Sequence, residues 1–102
     1  MTNTNIRNSK IQIENLYKSI FSDLPFTSIK FEENSVIIKH NDENNSDPAT
    51  LEIIESNSEY KLSYWDGYSV VETIEHSDLK KILKIFKNTA KKMAKNLRRF
   101  SH

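Results

Sequence analysis

Cysteine is absent from the 102 residues, glycine occurs once and proline twice. Without a thiol there is no disulfide framework, no thiolate metal ligand and no cysteine nucleophile. A single glycine cannot build a phosphate-cradling loop, which needs several so that backbone amides can close on the anion. Long apolar runs are missing too. Nothing approaches the roughly 18 to 20 apolar residues of a membrane-spanning helix, so no membrane association is expected. Residues 1–9 are polar and Asn-rich rather than a charged start leading into an apolar stretch, so no signal peptide is read there and a cytoplasmic location is expected.

Groups that carry chemistry are sparse. The three histidines, His40, His76 and His102, fall on separate elements without the paired spacing of a zinc site. Glu72 and Glu75 lie just before His76, but their odd separation on a strand sends them to opposite faces. No serine sits on the rigid turn that a hydrolase nucleophile needs. The polar run from Asn41 to Pro48 is carboxylate-rich, yet lacks the central glycine and terminal glutamate of a calcium loop. No catalytic residue, metal, cofactor or small-molecule ligand is therefore assigned, and the chain is expected not to be an enzyme.

What is present is a single small domain in two electrical halves. Hydrophobic residues make up 36% of the chain and charged residues 28%, which implies a small core. From Phe31 to His76 eleven acidic residues face two lysines, a net of −9. From Ser77 to His102 nine basic residues face one acidic, a net of +8. Halves of opposite sign can attract each other or address different partners.

Periodicity orders the elements. Residues 1–8 read as a flexible leader. Ser9 with Gln12 makes a capping box, and Ile13, Leu16, Tyr17, Ile20, Phe21 and Leu24 keep helical spacing until Pro25. Thr27 to Glu32 and Ser35 to His40 are strands joined by a tight Glu33-Asn34 turn, and the run Val36-Ile37-Ile38 suggests burial on both faces or a place at the layer boundary. Ala49 to Glu55 is a third strand, with Leu51 and Ile53 on one side and Ile54 on the other, turned by Ser56-Asn57-Ser58. Glu59 to about Glu75 is a hairpin around Asp66-Gly67, read as a two-residue type I′ turn because that turn needs two residues at positive φ. This places Trp65 opposite Tyr68 and Lys61 opposite Glu72, with Tyr60, Leu62, Tyr64, Val71 and Thr73 toward the core.

The last element is a long amphipathic helix. Ser77 caps it, and Leu79, Ile82, Leu83, Phe86, Ala90, Met93, Ala94 and Leu97 form one apolar stripe flanked by lysines. The expected fold is α+β: an N-terminal helix, a five-stranded antiparallel meander and a long C-terminal amphipathic helix.

The run Lys61-Leu-Ser-Tyr-Trp-Asp-Gly-Tyr-Ser-Val-Val-Glu-Thr-Ile-Glu75, leading into a lysine-rich helix, resembles the small bacterial immunity proteins of contact-dependent growth inhibition and other polymorphic toxin systems. The resemblance implies a cytoplasmic protein that binds the toxin of its own system and masks its active site. Read beside the charge pattern, it makes Asp42, Glu43, Asp47, Glu52, Glu55 and Glu59 the candidate carboxylates for a basic target, with Trp65 and Tyr68 as aromatic anchors. Ordinary packing, with both faces of the hairpin covered, is the commoner role for an aromatic such as Trp65. The alternative is a nucleic-acid-binding or regulatory protein using Lys80, Lys84, Lys87, Lys91 and Arg98. The calculated isoelectric point of 7.9, and aromatics that are not interleaved with the lysines, argue against nucleic acid as the partner.

Overall fold

The computed structural model describes residues 6, 9–41, 48–67 and 71–100. In chain order the elements are α1 (Lys10–Phe21), β1 (Thr27–Phe31), β2 (Ser35–His40), β3 (Thr50–Ser56), β4 (Glu59–Trp65), β5 (Val71–His76) and α2 (Leu79–Phe100). The strands form one sheet in the order β1-β2-β3-β4-β5, each antiparallel to its sequence neighbour. This is the α+β meander between two helices that the residue pattern implied. Among the described residues no helix is long and apolar enough to cross a membrane.

Period-two alternation places the core on one side of the sheet. Val36 and Ile38 of β2, Leu51 and Ile53 of β3, and Tyr60, Leu62 and Tyr64 of β4 are buried against the helices. Ile37, between two buried neighbours, is only half-buried and lies on the opposite face. From α2 the stripe Leu79, Ile82, Phe86, Ala90, Met93, Ala94 and Leu97 fills the other side of this layer, and α1 adds Ile13 and Phe21. A fully buried side chain such as Phe86 contributes about 1.5–3 kcal/mol through apolar area removed from water. Both helices cover the same face, and they run side by side in the same sense. Their N-terminal turns share a cleft, and at their C-terminal ends Arg98 meets Ile20 and Asp23.

Residues 1–5, 7 and 8 of the expected leader lie outside the described residues. Ile6 does not fit that expectation. It is 1% exposed, and its backbone N–H donates to Glu55 Oε1 at 3.2 Å. One isoleucine in an otherwise polar stretch is enough to extend the core past α1.

The helix caps also differ in detail. Ser9 occupies the N-cap of α1 without a side-chain cap bond, so the box with Gln12 does not form. At α2 the cap is Asp78 rather than Ser77. Asp78 Oδ1 accepts the Lys80 N–H at 3.0 Å, and Asp78 O accepts the Ile82 N–H at 3.0 Å. The carboxylate thus satisfies an orphan amide where the helix dipole favours negative charge.

The turns carry the main correction. Between β3 and β4, Ser56 pairs with Glu59, and both Asn57 (φ 52°) and Ser58 (φ 65°) are left-handed, the two-residue geometry expected of a type I′ turn. Between β4 and β5 that turn does not form. Trp65 pairs with Val71, Leu62 with Ile74 and Lys61 with Glu75, so five residues, 66–70, connect the strands. The ladder is shifted three places from a two-residue register, and an odd shift reverses every side chain of β5. Val71 is accordingly 65% exposed on the outer face with Thr73. Ile74 packs against the core, and Glu72 faces α2, where it accepts a charge-assisted hydrogen bond from Lys92. The shift puts the larger apolar side chain under the helices and brings opposite charges together. Gly67 takes φ 91° at the start of the connection, where a Cβ would stand 3.3 Å from the Ala49 nitrogen.

Candidate functional site

With both helices on one side, the other face of the sheet has no covering layer among the described residues. Alternation sends Ile37, Glu52, Ile54, Lys61, Ser63, Trp65, Val71 and Glu75 to it. Across the ladders Trp65 lies between Thr50 and Val71, Glu52 between Ile37 and Ser63, and Lys61 between Ile54 and Glu75. Val71 is 65% and Ile54 38% exposed, and Trp65 is half-buried beside Val71. The result is a flat surface of mixed apolar and charged character.

This arrangement divides the candidate carboxylates. Glu52 and Glu59 lie on the uncovered face with Trp65. Glu55 does not. It shares the side of Leu51 and Ile53, accepts the Ile6 N–H and stands opposite Tyr60, whose hydroxyl pKa is pushed up first by burial and then by this carboxylate. Asp42, Glu43, Asp47 and Tyr68 lie outside the described residues. The neighbours that bracket the first three, Asn41 and Pro48, stand at the same end of the sheet as Trp65 and Gly67. Among the described residues the face also carries Lys30, Lys39 and Lys61 beside Glu52, Glu59 and Glu75. The acidity of the middle segment is therefore not concentrated there.

The basic candidates are divided as well. Lys80, Lys84, Lys87 and Lys91 are exposed and run along one flank of α2. Arg98 is engaged elsewhere. Its Nε and one Nη donate to the two Asp23 oxygens at 2.7 and 2.9 Å, and the same Nη donates to the Ile20 carbonyl at 2.8 Å. The Arg98 hydrogen bond holds the Asp23 carboxyl below its ordinary pKa. Lys92, on the other flank, is held by Glu72, lies 5.9 Å from the Tyr64 ring centroid, and has its pKa raised chiefly by the Glu72 hydrogen bond. Tyr64 in turn accepts from Asn96 Nδ2 at 3.1 Å, and its pKa rises mainly through burial.

A feature that residue spacing alone did not reveal lies beside the lysine row. An open cleft of about 840 Å³ separates the N-terminal halves of α1 and α2. Ser9, Gln12 and Leu16 form one wall, Leu79, Leu83 and three lysines form the other, and Tyr60 lies at its base. Leu16 and Leu83 belong to the apolar stripes, and both are only half-buried where they line the cleft.

His40 and His76 serve local packing, and His102 lies outside the described residues. His40 meets the Phe26 ring edge-on at 5.2 Å, and His76 Nδ1 accepts the Asp78 N–H at 3.0 Å just before α2. Among the described residues no three His, Asp or Glu side chains converge as a metal site would require.

No protein-family model, no curated protein and no solved structure matches the chain.

Proposed function

We propose that this protein is a binding domain of the immunity kind, which lays the uncovered face of its sheet on a partner protein, a toxin of its own system, and blocks it. The observation that carries this reading is the segregation of both helices to one side, which leaves five strands with Trp65, Val71, Ile54 and Ile37 facing outward amid charged residues. Strands about 4.8 Å apart and about 3.3 Å per residue make a patch of roughly 24 by 20 Å. A surface of that breadth, flat and with an aromatic residue near one end, suits a protein rather than a small molecule, for which a concave site is usual.

The basis for specificity is shape and mixed charge rather than a uniformly acidic surface. Trp65 is the chain's sole tryptophan, so a 5-fluorotryptophan label reports on this face alone. The test is to mix labelled protein with the product of an adjacent toxin-like reading frame and follow the ¹⁹F resonance and the elution volume. A 1:1 complex that shifts the resonance and is weakened by Trp65→Ala with Val71→Asp supports the reading. A complex that forms without moving the resonance and ignores both substitutions overturns it.

A further inference from the structure

We infer that the cleft between α1 and α2 is a docking groove for an acidic amphipathic helical segment of a partner protein. It lies on the opposite side of the molecule from the uncovered sheet face and does not depend on the function proposed for that face.

The first argument is charge. Lys80, Lys84 and Lys87 line the groove, and Lys91 continues the same flank. Among the described residues none of these four meets a carboxylate. They follow one another at spacings of four, three and four, at which like charges on a helix repel. The one acidic side chain in the lining, Asp78, is committed to the Lys80 N–H. The facing wall on α1 offers Ser9, Gln12 and Leu16 and no charge. The row spans about 16 Å at 1.5 Å per residue, the length of a three-turn helix.

The second argument is the apolar part of the walls. Leu16 and Leu83 are half-buried and exposed to the groove, and a helix laid there would cover them with its apolar side while its acidic side met the lysines. These leucines decide against nucleic acid, which could use the lysines but would leave the apolar walls unmatched. Base stacking needs an accessible ring, and the lining aromatic, Tyr60, is 4% exposed.

The test is to pan a phage-displayed random 16-residue peptide library on the immobilised full chain, then measure synthetic versions of the enriched peptides by fluorescence anisotropy. Enriched sequences should carry Asp or Glu on one helical side and apolar residues at spacings of three and four on the other. Their affinity should fall roughly tenfold or more with Lys84→Glu/Lys87→Glu. It should stay unchanged with Lys39→Glu/Lys61→Glu, which makes the same charge change on the sheet face. If the first variant does not fold, as judged by circular dichroism, Lys84→Gln/Lys87→Gln gives the same readout with a smaller loss. Peptides without acidic residues, or acidic peptides indifferent to the groove variants, overturn the inference. So does groove-dependent retardation of a 30-nucleotide RNA without enrichment of acidic peptides, or a dimer in sedimentation that the groove variants abolish, which would make the occupant a second copy of this chain.

Discussion

Trp65 of β4 stands directly opposite Val71 of β5, at the start of a ladder that puts Ile74 and Glu72 under α2 and leaves Val71 and Thr73 in solvent. The two apolar residues of this strand should therefore respond in opposite ways to truncation. Val71→Ala is expected to change stability by less than about 0.5 kcal/mol, as an exposed substitution does. Ile74→Ala removes core contact and should cost about 1–3 kcal/mol. Urea denaturation of the two variants checks the register, and the reverse ranking would contradict it.

The left-handed pair Asn57-Ser58 predicts a stabilising change. A non-glycine residue in this region carries a steric cost that glycine avoids, and Asn-Gly is the favoured sequence of a type I′ turn. Ser58→Gly should add about 0.5–1 kcal/mol, the left-handed cost less the greater chain entropy of glycine. The check is a higher thermal midpoint with circular dichroism unchanged.

At the start of α2, neighbouring polar residues should differ sharply. Asp78→Ala removes the oxygen that accepts the Lys80 N–H and should cost about 1 kcal/mol. Ser77→Ala should fall within about 0.5 kcal/mol of the parent, because it lies outside the cap. Thermal melts of both variants separate the two positions.

Acid should act on the contact between the helix ends. Asp23 is held below its ordinary value of 3.8 by hydrogen bonding to Arg98, so its folded-state pKa lies under that of the unfolded chain. The stabilisation is complete above 3.8 and disappears as pH falls through the lower folded value. Arg98→Ala should lower the thermal midpoint at neutral pH, and its deficit against the parent should shrink as the solution is acidified below 3.8. A deficit that stays constant through that range would show that the carboxylate is not involved.

Most of the architecture could be read from residue spacing, because the stripe on α2 and the alternation of Leu51 and Ile53 admit one phase each. β5 admits two. Val71 with Thr73 and Glu72 with Ile74 are equally good period-two sets, and the choice between them depends on how many residues span the connection after Trp65. Glu55 was legible: it lies an even number of residues from Leu51 and Ile53, which places it with the core and apart from Glu52. The diversion of Arg98 to Asp23 was not legible, since it joins residues 75 apart. The groove was hidden for the same reason. Leu16 and Leu83 look like any other stripe residues until the two helices are placed side by side.

Each strand pairs with its neighbour in the chain, so the sheet can zip together through short closures whose entropy costs are small. Seating α1 beside α2 is different, because it closes nearly the whole polypeptide into one ring. A chain shortened at either helix forfeits that ring and uncovers the apolar side of the sheet, so the two helices act as a clasp over the ladders between them.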